Sequence, residues 1–198
     1  MFNPGDLKEK ITVLGLIREG NRYWWKESFG IWAKAEEQNR NNLFSKVGLG
    51  AKSIHFSIRK KPDITLHHAL RWKGKHCFIT SVTEVRTGFL EVEAAVVEPK
   101  ECTVRKEAEP VRDEWNRPVY GEPVLVTFPG CLIEKYAGYI QGEPMATSEM
   151  RYVIVTPKGI RLHVGDLVTI EEKTYQVLTC HILDEYKNEY EVMCVEDV

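Results

Sequence analysis

Apolar and polar residues alternate with a period of two in short runs, separated by turn signals, along most of the chain. After the turn Asn3-Pro4-Gly5-Asp6, Lys10-Ile11-Thr12-Val13-Leu14 predicts a first strand, and Glu19-Gly20-Asn21-Arg22 a turn. Trp32-Ala33-Lys34-Ala35-Glu36 predicts a strand with Trp32, or its small neighbours, facing the core. Core packing is the reading that carries most weight for Trp24, Trp25, Phe29 and Trp32, ahead of a ligand-binding or stacking surface. Ser53 to Arg59 places Ile54, Phe56 and Ile58 on one face, and Lys60-Lys61-Pro62-Asp63 turns the chain back. Val124 to Phe128, Cys131 to Glu134 and Met150 to Thr156 predict further strands, with Pro129-Gly130 a bulge or turn between the first two.

The pattern repeats. Residues Arg71 to Val97 and Thr169 to Val195 align when one is slid by 98 positions, so that Lys75 falls on Lys173, Ile79 on Val177, Glu91 on Glu189 and Glu93 on Glu191. In both copies a short strand (Leu70 and Trp72; Val168 and Ile170) meets a tight turn, Lys73-Gly74-Lys75 or Glu171-Glu172-Lys173. A second strand follows, then a polar break at Arg86-Thr87-Gly88 or Tyr186-Lys187-Asn188, then a third strand. So long a period points to tandem domains rather than a solenoid, whose units repeat every 20 to 50 residues or so. We place the boundary in the charged stretch from Pro99 to Pro110, giving domains over 1–100 and 101–198, with Asp113-Glu114-Trp115-Asn116-Arg117-Pro118 opening the second copy. Between strands, Asn39 to Lys52 and Tyr136 to Ser148 are too long for hairpin turns.

Composition adds little beyond a strand-rich, near-neutral chain, but charge is split. Residues 1–100 hold 17 Lys and Arg against 11 Asp and Glu, a net of +6, whereas residues 101–198 hold 10 against 18, a net of −8. That polarity is either drift between duplicated domains or a sign that opposite ends meet different partners, or that subunits attract head to tail. No apolar run approaches the roughly 20 residues of a membrane-spanning helix, and Asn3, Pro4, Gly5, Asp6 and Lys8 interrupt any signal-peptide pattern, so the protein reads as cytosolic and without a membrane partner. Cys77, Cys102, Cys131, Cys180 and Cys194 form no C-x-x-C pair and no zinc spacing with histidine, and three lie in apolar strand patterns as reduced buried thiols. His67-His68 neighbours point to opposite faces of a strand. No phosphate-binding glycine loop, nucleophile elbow or H-E-x-x-H occurs, and neither the carboxylate pairs nor His163 carries a catalytic pattern. The expectation is a protein without enzyme activity, catalytic residues, metal or cofactor.

Four segments carry a resemblance, the first three being Asn3-Pro4-Gly5-Asp6-Leu7 leading to Ile11-Thr12-Val13, the aromatic-rich approach to Trp32-Ala33-Lys34-Ala35-Glu36, and Ile58-Arg59 before Pro62-Asp63-Ile64-Thr65. The most telling is Leu70-Arg71-Trp72-Lys73-Gly74-Lys75-His76-Cys77-Phe78-Ile79-Thr80-Ser81-Val82. Together they resemble the phage head-tail joining family, also called head closure or head-tail adaptor proteins. The second copy keeps a looser frame, Gly165-Asp166-Leu167-Val168-Thr169-Ile170 through Tyr175-Gln176-Val177, with Thr169 where Arg71 stands and Glu171-Glu172 in place of a glycine turn.

The resemblance implies an all-β protein of two tandem small β-barrel domains, each with a long inserted loop. It implies a structural virion protein, made in the host cytoplasm, that forms a homo-oligomeric ring at the neck. That ring would connect portal-adaptor proteins to tail proteins, could close the DNA channel, and would touch packaged DNA non-specifically. Six chains or twelve would complete it, and the charge difference between the copies favours twelve chains in two tiers. Asn41, Leu43, Phe44, Lys46, Tyr139 and Ile140 are the candidates for an assembly or channel loop; Lys60, Lys61, Arg71, Lys73 and Lys75 are the candidates for a basic patch facing a partner or DNA. The alternatives are a tail-completion or tail-terminator protein, and a non-viral two-domain β binding module.

Overall fold

The computed structural model describes residues 4–38, 52–60, 63–86, 88–107, 111–119, 121–135, 151–182 and 184–195. A 3-10 turn, Pro4–Asp6, precedes β1 (Glu9–Glu19), β2 (Arg22–Gln38), β3 (Ser53–Arg59), β4 (His68–Trp72), β5 (Lys75–Arg86) and β6 (Phe89–Val97). Then follow β7 (Lys100–Lys106), β8 (Val111–Arg112), β9 (Pro118–Val119), β10 (Val124–Lys135), β11 (Arg151–Pro157), β12 (Leu167–Ile170), β13 (Lys173–His181) and β14 (Lys187–Cys194). The fold is all-β. Twelve of the strands form one sheet, while β8 and β9 pair with each other alone.

Pairing within that sheet runs in two circuits. In the first, β1 pairs with β4, β4 with β5, β5 with β6, β6 with β3, β3 with β2, and β2 with β1 again. In the second, β7, β12, β13, β14, β11 and β10 pair in the same cyclic order, and β10 returns to β7. The long strands β2 and β10 close the circuits by changing partners midway. Residues 22–33 of β2 pair with β1 and residues 33–38 with β3, while 124–130 of β10 pair with β7 and 131–135 with β11. One parallel bridge, Arg22 to Thr127, joins the circuits.

Their registers also coincide. An offset of 98 carries β3 to β6 onto β11 to β14, including the irregularity in the hairpin's second strand: Ile79 pairs with Ala94 and Ser81 with Glu93, as Val177 pairs with Val192 and Thr179 with Glu191. An offset of 91 carries β1 onto β7, because Thr12 and Val13 face Arg71 and Leu70 as Thr103 and Val104 face Thr169 and Val168. Each circuit encloses its own apolar interior. Ile11, Val13, Ile31, Phe56, Ile58, Leu70, Cys77, Ile79 and Val92 build the first, and Cys102, Val104, Phe128, Ile154, Val168, Tyr175, Val177, Tyr190 and Val192 build the second. Leu70, Trp72, Val168 and Ile170 are all buried, as the alternation of the short strands demands.

Four expectations need correcting. The charged stretch after Pro99 is a strand, β7, because Cys102 and Val104 alternate inward between solvated Glu101, Arg105 and their neighbours. Asp113 to Pro118 therefore does not open the second copy; it is the turn of the small β8–β9 hairpin inserted between β7 and β10, closed by Asp113 accepting from the Trp115 and Arg117 amides. Pro129-Gly130 does not interrupt β10, since Pro129 stands opposite Glu101 and Gly130 opposite Lys100 in continuous register. In the break at Tyr186-Lys187-Asn188, Lys187 and Asn188 already belong to β14 and are buried.

The two tight turns show what changed between copies. Lys73 and Gly74 have φ of 49° and 78°, and Glu171 and Glu172 have 47° and 73°, the positive pair of a type I′ hairpin. Glycine takes the second position at no steric cost in the first copy, whereas a glutamate is forced there in the second. Across each turn lies an ion pair of opposite sense: Lys73 Nζ stands 3.1 Å from Glu9 in the first circuit, and Lys100 Nζ 2.7 Å from Glu171 in the second. Glu9 and Lys100 are equivalent positions, as are Lys73 and Glu171, so the pair is kept with its charges exchanged. Trp72 Nε1 also donates to Glu9 at 2.7 Å, and this bond, with the bond from Lys73, holds the Glu9 carboxyl below its ordinary value.

Replacing Glu172→Gly is expected to raise stability by about 1 kcal/mol, read as a higher denaturation midpoint with unchanged slope. In a double-mutant cycle on Lys100→Glu and Glu171→Lys, the doubly exchanged chain is expected to recover the small loss of each single change, a coupling of about 0.2–1 kcal/mol that shrinks in high salt.

Candidate assembly surfaces

The circuits meet through side chains that point out of their interiors. In the first circuit, Leu14, Ala69, Phe78 and Ala95 are cross-strand neighbours in one row over β1, β4, β5 and β6. They alternate with the interior residues Val13, Leu70, Cys77 and Ala94, yet all four are buried. We call this outer side face A. In the second circuit, Cys131, Val155 and Glu189 form a row over β10, β11 and β14, alternating with interior Ile154 and Tyr190, and are likewise buried; this is face B.

Face A of the first circuit lies against face B of the second. Val97, the next outward residue of β6, packs on Cys131 and Val155 together with Ile133 and Val153. Leu16 and Tyr23 pack on the second interior, and Leu16 Cδ2 lies 3.8 Å from where a side chain at Gly159 would begin. The tip of the β1–β2 hairpin extends the contact: the Thr127 amide donates to the Asn21 carbonyl at 2.9 Å, and Arg22 pairs with Glu101 at 3.0 Å. At the rim, Leu16, Trp25, Leu66, His67 and Phe78 face Pro157, Lys158, Gly159 and Tyr186 across a cleft of about 190 Å³.

Two buried polar groups back this contact. Trp25 packs its ring 5.3 Å from His76 and edge-on to Phe78 at 5.9 Å, and neither Trp25 Nε1 nor His76 Nε2 has a hydrogen-bond partner among the described residues. Burial, helped by the Arg71 guanidinium, lowers the His76 pKa to about 4, so the imidazole is neutral near pH 7. In the second circuit, Lys187 and Glu189 form a buried ion pair on the outer side of β14. Inside, Tyr190 donates to the Ile160 carbonyl at 3.0 Å and accepts from the Leu162 amide at 3.1 Å, while Asn188 donates to the Ile160 and Lys158 carbonyls. These bonds tie the chain after β11 to β14, at places where the first circuit has apolar Leu90 and Val92.

The five cysteines are free thiols. Burial pushes the thiols of Cys77, Cys102 and Cys131 up to about 12, which makes them poor nucleophiles. Among the described residues no three His, Cys, Asp or Glu side chains stand together as a metal site, and no helix is long and apolar enough to cross a membrane.

Asn41, Leu43, Phe44, Lys46, Tyr139 and Ile140 lie outside the described residues, in the connections from β2 to β3 and from β10 to β11, which are equivalent in the two circuits. Lys61 is also outside them. The other basic candidates are not gathered into one patch. Lys60 bonds Glu84 at 2.6 Å beside the β5–β6 turn, whereas Arg71, Lys73 and Lys75 surround the β4–β5 turn at the other end of β5, about 30 Å away at strand rise. Arg71 pairs with Glu27 and Lys73 with Glu9, and Lys73 also lies 4.3 Å over the Trp72 ring.

The aromatic cluster divides. Phe29 packs on the first interior and Trp25 packs on His76 and Phe78 at the rim of the contact between circuits, but Trp32 is 58% exposed because its small neighbour Ala33 takes the inward place. Sequence reasoning missed face A itself. The signal lay in unbroken apolar runs such as Ala94-Ala95-Val96-Val97, which mark a strand buried on both sides.

Searches against family models, curated proteins and solved structures give no match to the chain.

Because His76 takes up its proton far more weakly folded than unfolded, acid favours unfolding: stability is expected to fall as pH drops from 6.5 towards 4 and to level off below, by up to about 3 kcal/mol from this residue. In His76→Phe that part of the acid sensitivity should vanish in denaturation curves taken across the same range.

Proposed function

We propose that this chain is a structural virion protein that forms a ring at the head-tail interface of a tailed phage, linking portal-adaptor proteins to the tail. We further infer that each six-strand circuit is a small β-barrel of the head-tail joining type, so that the chain carries two in tandem. The observation that carries the reading is the repetition of one pairing circuit with the same order, register and irregularity. It supports the resemblance of the Leu70 to Val82 segment because that segment is the β4–β5 hairpin on which the circuit turns. Contact between unlike faces, A on B, is the kind that builds rings when it recurs between subunits. The β2–β3 and β10–β11 connections leave from equivalent places and are the proposed assembly or channel loops. With its basic residues divided between two ends of the first barrel and mostly paired to glutamates, that barrel is proposed to meet protein partners chiefly, and DNA only non-specifically.

Electron microscopy with mass measurement, on the purified chain alone and mixed with its portal-adaptor complex, tests this. A ring capping that complex is the expected result, with its subunit count separating six chains from twelve. A monomer that never binds the complex would overturn the reading.

A further inference from the structure

The internal contact uses only half of the surfaces that the repeat provides. Face A of the first circuit and face B of the second are covered, which leaves face A of the second and face B of the first. By the offsets of 91 and 98, the second circuit's counterpart of Leu14, Ala69, Phe78 and Ala95 is the row Arg105, Leu167, Gln176 and Met193. Leu125 extends that row beside Arg105. Leu167 is 48% exposed and Leu125 62%, although their neighbours Val168 and Val126 point into the interior. The same offset takes Val97, which packs on Cys131 and Val155, to Val195, which is 42% exposed. The β8–β9 hairpin, with exposed Trp115 and Val119, stands in the connection equivalent to the β1–β2 tip, and that tip is the part of the first circuit that reaches over the second.

The opposite surface is polar, with Ser57 buried between half-exposed Lys34 and Glu91. Counterparts of Cys131, Val155 and Glu189 in the first circuit are Lys34, Ser57 and Glu91, again one cross-strand row. Two residues before Lys34 on β2, on the same side of the strand, stands the exposed Trp32, opposite Lys10 of β1. Leu167 and Val195 thus remain exposed where their equivalents in the first circuit, Ala69 and Val97, are buried or half-buried.

We propose that a second copy of this chain occupies these surfaces, its first circuit presenting face B to face A of the second circuit, so that the contact within the chain recurs between chains. Val195 then packs near Lys34 and Ser57 of the neighbour, Leu167 covers the side that carries Trp32, and Arg105 offers a counter-charge to Glu91. Net charges of −8 and +6 on the two joined halves favour the same pairing. First and second circuits alternate along such an array. If it closes, six chains give twelve units in one tier, the reverse of the two-tier arrangement that charge difference alone favours. This inference rests on the ring-forming reading and names the surfaces that would form the ring.

The test is disulfide trapping of the full chain carrying Val195→Cys together with Lys34→Cys, oxidised at high protein concentration, with the wild type and each single change as controls for the five native thiols. A ladder of covalent oligomers in the double variant only is expected. Adding Trp32→Glu or Leu167→Glu should cut that ladder about tenfold, since each sets a charge in the contact. Absence of the ladder, or a ladder untouched by both added changes, would overturn the inference. Microscopy of the same chains with the portal-adaptor complex separates the two claims: a cap on the complex without the ladder refutes the surfaces and keeps the neck reading, while the ladder without a cap does the reverse.

Discussion

Burial of the outer row Leu14, Ala69, Phe78 and Ala95, on the side where Val97, Leu16 and Tyr23 meet the second circuit, is the constraint on which the arrangement of the circuits depends. Inside each circuit, alternation settles which side chains face inward, and hydrogen bonding closes the strands on one another. Neither relates one circuit to the other. The one bridge among the described residues, at Arg22 and Thr127, is too slight to do so, and the two-residue link Glu98-Pro99 limits separation without choosing an orientation. Orientation comes from removing the second side of β1, β4, β5 and β6 from water, with Val97, Leu16 and Tyr23 extending the apolar contact to its edges.

The two circuits have kept their geometry while exchanging chemistry. An ion pair across the hairpin turn is held with reversed charges, and a glycine at positive φ in the first circuit stands where the second has a glutamate. Apolar Ile58, Leu90 and Val92 correspond to Thr156, Asn188 and Tyr190, whose hydrogen bonds converge on the Ile160 carbonyl and its neighbours. A polar group can enter an interior in this way only if its partners arrive with it, and here backbone groups of the segment after β11 supply most of them. The outer sides diverged most: the row that is buried in the first circuit holds Arg105 and Gln176 in the second. Differences of that kind are expected between surfaces that meet different neighbours.

What the amino-acid order determined by itself is the class, most of the strand pattern, the places of the two tight turns and the repeat. All of these rest on interactions between residues close in sequence, or on a period-two pattern that either copy displays alone. Lys75 and Lys173 begin equivalent strands, and Leu70, Trp72, Val168 and Ile170 point inward, because alternation and hairpin geometry are local rules. The chain after Pro99 escaped them, since two inward residues in seven, Cys102 and Val104, are a weak signal among charges. Only the tertiary structure decided that Trp25 lies at the rim of the contact between circuits and Trp32 outside it, that Lys60 and Lys73 sit at opposite ends of a strand, and that face A of one copy is covered while that of the other is open. Those outcomes depend on which surfaces come together at long range, and identical local patterns are compatible with either.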